Sequence, residues 1–320
     1  MWFRNARKKL SPTHDSATDS TDALRSSVSL LARDLSLEVS PREALRGAEG
    51  LETLAPGTRV FITRLPKGSF EETLAASTRL RELGLRPVPH ITARTTSDAA
   101  TFAKQLGRYV GEAGVREILL VAGSNEKAEG AFSNTLQILE SGVIESSGLT
   151  ALNVAGHPEG HPQADERELH RALEVKNAFS TRTGIPLTIV TQFFFDPAPI
   201  IAWEARIREK GNRLPIDIGL HGVTGVASLA KHAVACGVGA SIKVLGSHSG
   251  SVLQFAQIRT PDRLLSGLAA AKARDPANLF RNIHVFPLGG FKRTVEWANA
   301  VRNGRYSFAS DGQLEVATSD

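Results

Sequence analysis

Cysteine is almost absent from this chain of 320 residues, Cys236 being the single one. No disulfide can form within the chain, and no cysteine-rich zinc site can be assembled. Cys236 lies in His232-Ala-Val-Ala-Cys-Gly-Val-Gly239, where it reads as a small buried hydrophobe at a helix end rather than as a nucleophile. Long hydrophobic runs are missing as well. No window approaches the roughly 18 to 20 apolar residues of a membrane-spanning helix, and the first residues lack the apolar stretch of a secretory signal. The expectation is a soluble, cytoplasmic protein with no membrane partner. Charge of one sign is also scarce, since 38 Lys+Arg stand against 33 Asp+Glu for a net +5. That thin excess, with no basic stripe interleaved with aromatics, argues against nucleic acid and suits an anionic small ligand. Neither the Gly-x-Gly-x-x-Gly dinucleotide fingerprint nor a Gly-Lys-Ser/Thr phosphate loop follows an early strand. Gly246-Ser-His-Ser-Gly250 has neither spacing and reads as a loop.

What is present is an alternation. Eight short apolar or β-branched runs recur at Leu35–Val39, Arg59–Thr63, Val88–Thr92, Glu117–Val121, Leu152–Ala155, Leu187–Phe194, Ile216–Leu220 and Ile283–Phe286. Each is followed by a stretch of helical composition, at about 35 residues per unit, the size of a strand-helix repeat. Continuous apolar strands such as Ile118-Leu-Leu-Val121 imply burial on both faces, as parallel sheets covered by helices provide. The reading is a single (β/α)₈ TIM-type barrel over residues 31–320, preceded by a basic, loosely attached or disordered tail over residues 1–30. Strand ends build the active site in such barrels. Read off in order, they are Glu38, Thr63, His90, Gly123 with Ser124, His157, Gln192 and His221.

Taken alone, these residues leave alternatives open. Glu38 inside an apolar strand is either a general acid whose pKa desolvation would raise, or a structural partner in a salt bridge. His157 and His161 are four apart, but Pro158 and Pro162 disfavour a shared helix face, so a metal pair is not expected. They read as imidazoles offered to a polar ligand from a loop, or as a turn. In Thr191-Gln-Phe-Phe-Phe-Asp196 the rings of Phe193 and Phe195 point one way and that of Phe194 the other. The amide of Gln192 can both donate to and accept from a heterocycle edge.

At Thr191-Gln-Phe-Phe-Phe-Asp196 and Ala155-Gly-His-Pro-Glu-Gly-His-Pro162 the chain resembles the methylenetetrahydrofolate reductase family, with weaker support from Leu35-Ser-Leu-Glu-Val-Ser-Pro41, Pro89-His-Ile-Thr92 and His284-Val-Phe-Pro-Leu288. The resemblance runs from about Ser36 to Ala300. It implies a flavoprotein of one-carbon metabolism that uses FAD and NADH or NADPH to reduce a tetrahydrofolate derivative, with a homo-oligomer compatible. Glu38 would be the general acid. Thr63, His90, Ala122, Gly123, Ser124, Phe132, Ser133, Ala155, His157, His161 and Lys176 would hold the flavin, and Gln192 and His221 the substrate.

The departures are as specific. Ala122-Gly-Ser124 stands where the family has Arg-Gly-Asp, Leu169 where it has an acidic ligand, with Glu168 beside it, and Gly290 where it has an arginine that Lys292 or Arg293 would have to replace. Rival readings are a flavin-free or reverse-running methyltetrahydrofolate oxidoreductase and a non-catalytic folate-binding protein.

Overall fold

Each apolar run of the sequence becomes a strand because its neighbours are apolar on both faces. In the structure, a computed structural model describing residues 15–65, 68–123, 125, 127–161, 163–235 and 258–317, eight parallel strands close into a barrel. They are β1 (Ser36–Val39), β2 (Arg59–Ile62), β3 (Arg86–Thr92), β4 (Glu117–Val121), β5 (Ala151–Gly156), β6 (Leu187–Thr191), β7 (Ile216–His221) and β8 (Phe280–Phe286). Closure is made by β1 against β8, with Ser36 opposite His284 and Leu37 opposite Val285. The (β/α)₈ barrel expected from the strand spacing is therefore the fold.

Alternation along each strand sorts residues between two compartments. On β2, Val60 and Ile62 join the large core under the helices, whereas Phe61 packs inside the barrel with Val88, Leu119 and Val190. The lumen is thus a filled layer rather than a pore. Below that layer, at the strand starts, sits a plug of charge. Asp217 accepts from Arg59 at 2.7 Å and from both Nε and Nη2 of Arg281 at 2.8 Å, and Glu117 pairs with Arg59 and Arg86. Burial pushes the carboxyl of Asp217 up, but the hydrogen bonds and charges of the two arginines outweigh it and hold the group below its ordinary value.

Two strands differ by three residues at one end from the sequence reading, the others by at most two. The β6 ladder stops at Thr191, after which Phe194 makes only an isolated bridge to Leu220. The β8 strand begins three residues earlier than the apolar run, through Phe280-Arg-Asn, because Arg281 and Asn282 face the plug.

The expected tail meets a helix. The first helix, α1 (Asp15–Ala32), crosses the boundary placed at residue 30, and Val28 and Leu31 are fully buried in the main core. Burial of two aliphatic side chains, each contributing about 1.5–3 kcal/mol, attaches this segment despite its Ser/Thr-rich composition. Residues 1–14 of that tail lie outside the described residues, as do Ser124, Pro162, Cys236 and Gly246–Gly250.

Helix starts fix the strand ends that carry the site. Ser40 caps α2 (Pro41–Arg46) in a reciprocal box with Glu43, which arrests the chain two residues after Glu38. Asp165 does the same for α3 (Glu166–Thr183) with Glu168. Glu168 is therefore spent on its helix start rather than offered to a ligand.

Candidate active site

The mouth of the barrel holds three groups of the expected side chains. The first surrounds Glu38 on β1. Its Oε2 lies 3.3 Å from Nε2 of His284 and 3.8 Å from Nε2 of His90. The Glu38 side chain is 14% exposed and that of His284 is 0% exposed. Burial pushes His90 below its ordinary value, opposed by the charge of Glu38 and reinforced by that of His284, so His90 is neutral near pH 7. Its Nε2 is buried and has no hydrogen-bond partner among the described residues. His90, which the family resemblance implies holds flavin, thus lies beside Glu38. Thr63, just past β2, is tied to the same strand end by its N–H to Val39 O at 2.9 Å.

The second group spans the loops after β3, β4 and β5. Arg94 donates from Nε to Ser133 O at 3.0 Å, and from Nη1 to Asn125 O and Gln163 Oε1, both at 2.6 Å. Its backbone N–H reaches Ala122 O at 3.0 Å, and a Cβ on Gly123 would contact Thr92 and Arg94. His157 and His161 face each other edge-on at 4.8 Å. Nδ1 of His161 accepts from the Gln163 N–H at 3.1 Å, and burial together with the Arg94 charge pushes this ring below its ordinary pKa. Burial, Lys176 and His161 pull His157 down to about 3. Lys176 is buried and donates to Ala155 O at 3.2 Å, and burial pulls it down to about 8. Among the described residues none of Arg94, His157, His161 or Lys176 forms an ion pair with a carboxylate. Phe132 is placed elsewhere, packed into the main core.

Gln192 and His221 form the third group at the ends of β6 and β7. Gln192 Oε1 accepts from the Phe193 N–H at 3.1 Å, which leaves its NH₂ free to donate. Phe193 packs with Phe195, Phe286 and Leu288 while Phe194 joins the main core, as alternation requires. His221 is buried, gives its Nδ1–H to Gly222 O at 2.9 Å, and is pulled down to about 4 by burial. Gly219 is needed here because a Cβ would run into the carbonyls of Thr191 and Gln192.

Two departures noted in the sequence acquire physical reasons. The position a Cβ would take on Gly290 is filled by the carbonyl of Val223, so no arginine fits there. Lys292 does not replace it, because its ammonium is paired with Glu49. Ala122 removes a cation from the end of β4, but Arg94 in the loop after the neighbouring β3 brings one to the same place. His284 was the residue that sequence reading missed. Only the β1–β8 register places it against Glu38, and a polar residue inside the apolar run Ile283-His-Val-Phe286 was the one available signal.

Arg94 and Lys176, neither in an ion pair with a carboxylate among the described residues and with no hydrogen bond from Nη2 of Arg94 to a described residue, would fit the phosphates of a dinucleotide. Together, fold and site define a (β/α)₈ barrel with a mostly buried carboxyl and the cations of Arg94 and Lys176 at its mouth. A family model described as methylenetetrahydrofolate reductase matches residues 49–245, and the chain belongs to that family. Its function is accordingly of the methylenetetrahydrofolate reductase type. The match covers β2 to β7, so Glu38 and His284 lie outside it. Among solved structures, a tryptophan synthase from M. tuberculosis aligns with a TM-score of 0.42 and 14% identity, over 89% of this chain and 96% of that one. No helix among the described residues is long and apolar enough to cross a membrane.

Proposed function

We propose that this chain reduces 5,10-methylenetetrahydrofolate to 5-methyltetrahydrofolate in the cytoplasm, with NADH or NADPH as the hydride source and FAD as cofactor. The observation that carries this reading is Glu38, a carboxyl in a nearly dry barrel mouth with Oε2 held by an imidazole and Oε1 left for a substrate. Its role is to give a proton to a folate ring nitrogen as the carbon–nitrogen bond opens. Flavin, when bound, carries the hydride from nicotinamide to the methylene carbon. Arg94 and Lys176 would neutralise its phosphates, the neutral His161 would offer them a hydrogen bond, and the Gln192 amide would donate to the pterin. Gly123, Ala155 and His157 would line the same cofactor surface.

The substitutions at Ala122 and Ser124, with Phe132 turned into the core, favour a second reading in which nicotinamide donates hydride to the folate directly. Absorption spectroscopy separates the two. A purified protein, supplied with FAD, whose flavin bands bleach with NADH under anaerobic conditions and return with methylenetetrahydrofolate supports the first. Turnover of NADH and folate by a protein that takes up no flavin supports the second. In either case Glu38→Gln is expected to abolish turnover while retaining folate binding, and full activity in that variant removes Glu38 from the mechanism.

A further inference from the structure

Four polar side chains line up inside a barrel whose adjacent layer is apolar. Ser36 Oγ lies 2.9 Å from Nδ1 of His284, and Nε2 of His284 lies 3.3 Å from Oε2 of Glu38. The second imidazole, His90, faces that same oxygen at 3.8 Å. His284 is walled by two rings, Phe61 at 4.5 Å and Phe286 at 4.7 Å, both edge-on. An imidazole boxed in this way cannot swing to another acceptor. No hydrogen bond among the described residues reaches Glu38 Oε1.

We propose that His284 is a positioning residue for the acid: Ser36 donates to its Nδ1, which leaves Nε2–H to occupy Glu38 Oε2 and confines the transferable proton to Oε1, the oxygen that no described residue engages. This rests on the reading of Glu38 as the proton donor. In the step, the Oε1–H bond breaks and the proton joins the folate nitrogen, whose bond to the methylene carbon breaks with the electron pair passing to nitrogen. The carboxylate left behind is stabilised by Nε2–H on Oε2, and a solvent proton later restores Oε1–H. The titratable groups facing Glu38 are His284 from β8 and His90 from β3, while β2 presents Phe61 and β1 itself Ser36.

The arrangement separates a donor from mere bulk. Replacing His284 by Leu removes the N–H that stabilises the carboxylate, so the basic limb of the kcat–pH profile should move to higher pH by about one pH unit. At neutral pH kcat should fall about tenfold or more, with the folate KM within about threefold. His284→Gln keeps an N–H and should restore much of the limb position. Ser36→Ala, which leaves the box filled, should move the limb the same way by less. A limb that coincides with the parent in both His284→Leu and Ser36→Ala overturns the proposal. So do equal losses in His284→Leu and His284→Gln with no movement of the limb. If His284→Leu does not fold, Ser36→Ala decides alone on the same criterion.

A parent protein that binds folate but shows no turnover defeats the reductase reading rather than this contact. The contact is then read by NMR of the ¹⁵N-histidine-labelled full chain. A His284 Nε2–H resonance that moves in Glu38→Gln upholds it, and one that stays in place overturns it.

Discussion

Arg94 Nη1 donates to Gln163 Oε1 at 2.6 Å, a single bond that joins the loop after β3 to the loop after β5. The same nitrogen reaches Asn125 O and the neighbouring Nε reaches Ser133 O, so one guanidinium ties three loops at the mouth. Arg94→Gln should therefore weaken dinucleotide binding about tenfold or more by loss of a fork-shaped cation. Titration of the purified variant with FAD or NADH, followed by fluorescence, measures it, and an unchanged dissociation constant removes Arg94 from the rim.

Lys176 gives a prediction with two opposite signs. Its ammonium is buried against one carbonyl with no carboxylate partner among the described residues, a costly arrangement that an anionic ligand would relieve. Lys176→Met should raise the melting temperature of the ligand-free protein and shrink the rise caused by saturating dinucleotide. A variant that melts lower than the parent without ligand contradicts this account of the buried charge.

The plug under the lumen should dominate acid and mutational sensitivity at the other end of the barrel. Asp217→Asn leaves Arg59 and Arg281 without their shared counter-charge and is expected to destabilise by about 3–5 kcal/mol, with catalysis per folded molecule unchanged. Urea unfolding of parent and variant reads the loss. Because the native carboxyl is held below its unfolded value, its contribution is full above the unfolded pKa and disappears as pH falls through the native one.

Histidines carry a separate dependence in milder acid. His157 at about 3 and His221 at about 4 remain neutral when folded, whereas unfolded histidine takes up a proton near pH 6.5. The unfolded chain thus binds more protons between those values, and stability should fall as pH drops from about 6.5 towards 4. Melting curves across that range should show the slope, and His221→Asn should flatten it. An identical slope in that variant assigns the effect elsewhere.

Legibility in the sequence followed the range of the interactions. Strands such as Glu117–Val121 were readable because burial on both faces writes itself into consecutive residues. Closure into a ring followed from counting eight such units, each followed by a helical stretch. The extra turn of β8 was not readable, since Arg281 and Asn282 look like a loop until Asp217, more than sixty residues away, is set against them. The α1 helix was hidden by its Ser/Thr-rich composition, its attachment resting on Val28 and Leu31. Glu38, Gln192 and His157 could be picked out as strand-end residues, but the grouping of His90 with Glu38 could not. Nor could the role of Arg94, whose three acceptors lie on two other loops. Gly290 looked like a lost function, and the carbonyl of Val223 makes it a steric requirement.

Pairing of the first strand with the last has a consequence for biosynthesis. Glu38 emerges from the ribosome early, but Ser36 and Glu38 acquire their imidazole only when the chain has been made to His284 and beyond. A nascent or prematurely terminated polypeptide carries Glu38 without the ring packed against it. With Glu38 as the proposed proton donor, chemistry at this mouth would be withheld until translation has passed the final barrel strand.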